Sequence, residues 1–226
     1  MNLLYNINPG ILEVYYGPMN SGKGESLIGR ISSINYVPNS RYEAFKPCGD
    51  TRTPGKIYSR VGGGIFVSAI EIPDKKPWEL LKYIDDKVKV VAIDEVQLFD
   101  DKLVPVVDKL LDNKINVILS GLNLDFRGEP FGILPYFIIR ADVVTPLYAV
   151  CEYTEKNSLG EIIYGCGMRA TRTQRLINGE PAPYNDPIKK IGDKEGVDDK
   201  SLSYQARCRE HHIVPGAPKI FLPDKL

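Results

Sequence analysis

The sequence predicts an α/β fold built on a parallel sheet, followed by a smaller unit of different character. Three observations predict it. Apolar, β-branched runs alternate with helical patterns over the first two thirds of the chain. A glycine-rich turn joins the first such run to the first helical pattern. Near Pro146 the composition changes, because three of the four cysteines and both histidines lie beyond it. The spacing therefore divides the chain into residues 1–147 and residues 148–226.

The elements follow in order. Residues 11–16 read as a strand, and residues 22–35 as a helix opening on the loop glycines. Residues 42–45 form a short strand candidate. Residues 50–67 are rich in Gly, Arg and Thr, which suggests a mobile loop or an exposed hairpin. Residues 87–93 are a β-branched buried strand ending at Asp94. Between residues 103 and 112 the apolar positions 103, 106, 107, 110 and 111 mark a helical face, with Pro105 tolerated in the first turn. Residues 115–120 give the next strand. Strands alternating with helices imply a parallel sheet covered on both faces.

The totals exclude several classes. The 226 residues suffice for one large domain, or one domain with a small appendage. Twenty-nine basic residues balance 29 acidic ones, so no overall field recommends a nucleic-acid partner. No apolar run approaches the roughly 20 residues that span a bilayer. The N-terminus has no basic-then-apolar order, so no signal peptide is expected and the chain is read as cytoplasmic. In that setting cysteines serve more often as metal ligands or buried thiols than as disulfides.

Three constellations carry chemistry. Gly17-Pro18-Met19-Asn20-Ser21-Gly22-Lys23 has the pattern G-x-x-x-x-G-K, in which backbone N–H groups surround phosphate oxygens and the lysine meets the outer phosphates. The next position normally carries the hydroxyl that holds Mg²⁺, and here it is Gly24. Asp94 and Glu95 close a buried strand, where Asp94 can hold Mg²⁺ and Glu95 can take a proton from a hydroxyl or water. Asp50-Thr51-Arg52 and the later Ser59-Arg60 can bring a guanidinium to a transferring phosphate. The third constellation is Cys151, Cys166, Cys208 and His211. Cys208 and His211 have half-site spacing for zinc, and a hairpin over residues 153–164 would return Cys151 and Cys166 to one place. Four protein ligands leave no open position, so such a zinc would be structural. His212 is the alternative to His211, and Cys48 reads as an ordinary buried thiol.

Together these residues resemble the zinc-containing thymidine kinases of the cellular and bacterial type. The loop at residues 17–24 is close to that family's G-P-M-F-S-G-K-S, and residues 94–99 are close to its D-E-A-Q-F-F. Residues 121–131 are close to the bacterial G-L-D-x-D-F-R-G-E-P-F, and the segments at 170–176 and 204–211 continue the match. The resemblance implies a P-loop NTPase-like domain with a small zinc-binding lasso domain, using ATP, Mg²⁺ and structural Zn²⁺. It implies transfer of the ATP γ-phosphate to the 5′-hydroxyl of thymidine or deoxyuridine, with Glu95 as general base. By position, residues 17–24, Asp50, Thr51, Arg52, Asp94 and Gln97 would form the ATP site. Phe126, Ile188, Lys189, Lys190, Ile191, Gly192 and Tyr204 would hold the nucleoside, with Met19, Leu98 and Leu122 as further pocket candidates. The family also implies homotetramers.

The chain departs from that family at three places. Gly24 lacks the hydroxyl, and Glu25 beside it either serves as a metal ligand or repels phosphate. The hairpin between Cys151 and Cys166 is an insertion. So is the longer segment between Gly192 and Tyr204. The first departure leaves an alternative: a nucleotide-binding regulatory protein of this ancestry with impaired catalysis.

Overall fold

The computed structural model describes residues 10–59, 64–188 and 201–218. The chain opens with β1 (Leu12–Tyr16) and passes through the glycine-rich turn into α1 (Lys23–Ser32). It continues through β2 (Arg41–Pro47), β3 (Lys56–Ser59), β4 (Ile65–Ser68), β5 (Ile70–Ile72) and β6 (Val88–Ile93). Then come α2 (Leu103–Asp112), β7 (Asn116–Gly121), α3 (Leu134–Arg140) and β8 (Val143–Pro146). Beyond Pro146 the described residues form short strands: β9 (Ala149–Val150), β10 (Thr154–Lys156), β11 (Ile162–Gly165), β12 (Arg169–Ala170), β13 (Arg172–Ile177), β14 (Glu180–Pro181) and β15 (Leu202–Arg207).

The centre is a six-stranded sheet in the order β5-β2-β6-β7-β1-β8. Every pairing in it is parallel. All six residues of β7 are buried, as a strand with both faces covered requires. One face packs on α2 through Leu103, Val106, Val107 and Leu110. The other packs on α1 through Leu27, Ile28 and Ile31. Because the strands are parallel, the carboxyl ends of β1, β6 and β7 share one edge. The glycine-rich turn, Asp94-Glu95 and Leu122 therefore meet there.

Two sequence expectations change. The first helix stops at Ser32 and tightens into a single 3₁₀ segment, Ser33–Tyr36. The Ser32 and Ser33 hydroxyls donate to the carbonyls of Ile28 and Arg30, competing with the regular backbone ladder. Cys48, expected to be buried, is exposed, since the chain leaves the sheet after Pro47 and Cys48 falls on the turn beyond it. The segment after Asp50 does contain a hairpin: β3 and β4 pair antiparallel, and β3 lies against α1. Arg60 falls outside the described residues.

Candidate active site

The glycine-rich turn owes its shape to positions where side chains are excluded. A Cβ on Gly17 would collide with the Leu147 carbonyl, while Asn20 and Gly22 take positive φ of 60° and 79°. The Pro18 carbonyl accepts hydrogen bonds from the Ser21 hydroxyl at 2.9 Å and the Lys23 ammonium at 2.6 Å. Burial pushes the Lys23 pKa down, against the opposing pull of Glu95 and Asp94. The three charges therefore face one space. From the far side, the Met19 N–H donates to the Thr173 hydroxyl at 3.0 Å, and the Asn20 amide donates to Glu152 at 3.1 Å.

Glu95 sits in a left-handed conformation, φ 50° and ψ 41°, which costs a non-glycine residue energy and recurs at functional positions. Both its oxygens are held. Arg52 contacts one at 2.6 Å, and the Gln97 amide donates to the other at 2.5 Å. Gln97 is itself buried, and its oxygen accepts from the Leu122 N–H at 3.0 Å, so its amide cannot rotate freely. Arg52 is held in turn by Asp50 at 2.7 Å, and Asp50 by the fully buried Lys46 at 2.9 Å. Burial opposes the charge on Asp50, but Arg52 and Lys46 outweigh it and keep the carboxyl below its usual pKa. Asp94 differs: burial and the neighbouring Glu95 push its pKa up to about 6.

A cavity of about 360 Å³ opens beside these groups. Met19, Thr51, Arg52, Glu95, Gln97, Leu98 and Leu122 line one side of it, and Phe126, Ile188 and Tyr204 the other. Lys189, Lys190, Ile191 and Gly192 lie outside the described residues. Several lining residues were not site candidates in the sequence, among them Phe131, Thr173 and Arg175. Arg175 organises the second wall. It contacts Asp186 at 2.7 Å, donates to the carbonyls of Pro187 and Ile188 at 2.5 Å each, and donates to the Tyr204 hydroxyl at 3.1 Å. Its guanidinium also stacks 4.0 Å from the centre of the Phe126 ring. The available signal was strand alternation, which puts residues 173 and 175 of β13 on one face.

Cys151, Cys166, Cys208 and His211 converge, with their ligand atoms all within 4.8 Å of one another. Antiparallel pairing of β10 with β11 brings the first two together, as the hairpin expectation required. His211 Nδ1 lies 3.3 Å from Cys208 Sγ and 3.8 Å from Cys151 Sγ, and the two sulfurs of Cys166 and Cys208 are 4.0 Å apart. A tetrahedral zinc with Zn–S near 2.3 Å has sulfur–sulfur edges of about 3.8 Å, so the group can hold such a metal. His212 is placed elsewhere, 2.9 Å from the Phe126 carbonyl, so of the two histidines it is His211 that joins the three cysteines.

The model of the family described as "Thymidine kinase" matches residues 10–212. The chain belongs to the thymidine kinase family. It is also 43% identical over 211 residues to a protein named thymidine kinase from Coprothermobacter proteolyticus, with 92% of each chain covered. Membership spans the loop, the Asp94-Glu95 turn, the cavity and the Cys/His group, so one family accounts for all three constellations. Its kinases transfer phosphate, the chemistry for which a lysine, two carboxylates and an arginine around one space are suited. Among the described residues, no helix is long and apolar enough to cross a membrane.

Proposed function

We propose that this chain is an ATP-dependent thymidine kinase, transferring the γ-phosphate to the 5′-hydroxyl of thymidine or deoxyuridine. The observation that carries the reading is the Arg52–Glu95–Gln97 cluster in the wall of the cavity, within electrostatic reach of Lys23 of the loop. Backbone groups of residues 17–24 and Lys23 hold the phosphates. Arg52, restrained by Asp50, neutralises charge on the transferring group, and Glu95 accepts the 5′-hydroxyl proton. Glu95 exchanges one of its present partners for that hydroxyl when substrate enters. Gln97 keeps the carboxylate aimed. The Thr51 hydroxyl, buried with no hydrogen-bond partner among the described residues, is available to the nucleotide.

Mg²⁺ bound with ATP would offset the charge on its phosphates. Asp94 is the carboxylate placed to hold it, directly or through water, and hard oxygen ligands of this kind suit the ion. Phe126 and Tyr204 supply flat apolar surface for the pyrimidine, and Ile188 lines the same cavity. Zinc fits the Cys/His group as a structural ion closing the smaller unit, residues 148–226. Assembly as a homotetramer is part of the same proposal, as is a cytoplasmic location. The impaired-catalysis alternative drew on Gly24 and Glu25; Glu25 is exposed, and no described contact favours that alternative.

The test is Glu95→Gln. With thymidine, ATP and Mg²⁺ at saturation, kcat should fall by about two to four orders of magnitude while the thermal midpoint changes little. Turnover near the wild-type value would remove Glu95 as the base.

A further inference from the structure

Strand alternation in β3 buries Ile57 and Ser59 and exposes Lys56 and Tyr58. Ile57 packs among Leu27, Ile28 and Ile31, so the buried face of β3 looks onto α1. Ser59, two residues on, shares that face and lies over the first turn of the helix. A Cβ built on Gly24 would stand 3.8 Å from the Ser59 Cβ and 3.1 Å from the Tyr58 carbonyl oxygen. The end of β3 therefore occupies the space that a side chain at position 24 would enter. That is the position from which phosphate loops ordinarily send a hydroxyl to the metal. Gly24 lacks the hydroxyl, and it is the same glycine that admits a strand carrying one.

We propose that Ser59 supplies, from β3, the metal-side hydroxyl that Gly24 lacks, so that the divalent cation accompanying ATP is met by Ser59 as well as Asp94. The inference rests on the reading of residues 17–24 as a metal–ATP loop. It explains why Gly24 is not a defect: a serine there would press its Cβ against a backbone carbonyl that only a shift of β3 could relieve. A hydroxyl approaching from a neighbouring strand offers the cation the same neutral oxygen as one from the loop.

The experiment uses Mn²⁺ as the probe, titrated by its electron paramagnetic resonance signal into full-length protein saturated with a β,γ-imido analogue of ATP. Ser59→Ala should bind Mn²⁺ about tenfold more weakly, the scale of one lost contact to a charged partner. Ser59→Thr should keep the wild-type affinity, because it keeps the hydroxyl. Binding of the analogue without metal should be unchanged in both variants, which separates metal contact from loop collapse. Equal Mn²⁺ affinity in Ser59→Ala and wild type would overturn the assignment, as would parallel loss of metal-free binding. A wild-type protein that binds no Mn²⁺ with the analogue would instead overturn the metal–ATP reading itself.

Discussion

Asp94 and Glu95 are adjacent carboxylates in unlike surroundings. Glu95 is held by Arg52 and Gln97, whereas burial and the charge of Glu95 push the Asp94 pKa from 3.8 up to about 6. The sign follows from which form the fold favours. A carboxyl with a raised pKa favours its neutral form on folding, so its stabilising contribution is complete below the ordinary pKa and is lost as pH rises through about 6. Asp94→Asn is neutral at every pH and escapes that loss. In protein free of nucleotide and metal, the thermal midpoint of the variant should overtake that of the wild type as pH rises from about 4 to about 7. A difference that stays flat over that range would mean that burial does not load Asp94 as described. If Asp94 holds Mg²⁺ as proposed, the same substitution should weaken Mg²⁺-dependent ATP binding.

At the scale of the element, what was legible depended on whether a signal was local. The limits of α2 follow from five apolar positions on one face, and β6 and β7 from short runs rich in Val and Ile that are buried almost throughout. The glycine turn was legible for a related reason, since its spacing encodes its own backbone. Arg175 was not legible, because its partners are distant or belong to an irregular segment. Nothing in the sequence tells a buried arginine on β13 from an exposed one until Asp186, Ile188 and Tyr204 are folded against it. Gly24 likewise read as a missing part while the position of β3 was unknown. The geometry around Arg175 makes a prediction for this element. Arg175→Met removes the ion pair to Asp186 and the donors to two carbonyls, and should cost about 3–5 kcal/mol in urea unfolding, the scale for breaking a buried pair. Arg175→Lys keeps the charge but not the planar fork that contacts Asp186, two carbonyls and two rings at once. It should therefore raise KM for thymidine about tenfold with a smaller change in kcat. Unchanged KM in a folded Arg175→Lys protein would show that the second wall does not depend on that fork.

At the scale of the molecule, the Cys/His group and the phosphate loop share an intermediary. Glu152 follows Cys151, and its carboxylate accepts from the Ala206 N–H at 2.6 Å, two residues before Cys208. Its other oxygen accepts from Asn20 at the apex of the loop. The Glu152 N–H also donates to the Ala206 carbonyl at 2.9 Å, so Cys151 and Cys208 hold the backbone on which this carboxylate depends. If zinc binds there, its binding energy is also folding energy for this part of the chain, and removal should loosen Glu152 together with its hold on Asn20. Metal analysis should find one zinc per chain, as four protein ligands require. Chelation should then increase proteolysis beyond residue 147 and raise KM for ATP, although no zinc ligand belongs to the phosphate loop. Glu152→Ala, with its zinc retained, should reproduce the rise in KM at about fivefold, the scale of one surface-accessible hydrogen bond, without the proteolysis. If chelation opens the smaller unit but leaves KM for ATP untouched, Glu152 is a local brace and the two sites are independent. If both effects appear and Glu152→Ala shows only the second, the carboxylate is the link through which the metal-bound unit sets the geometry of the loop.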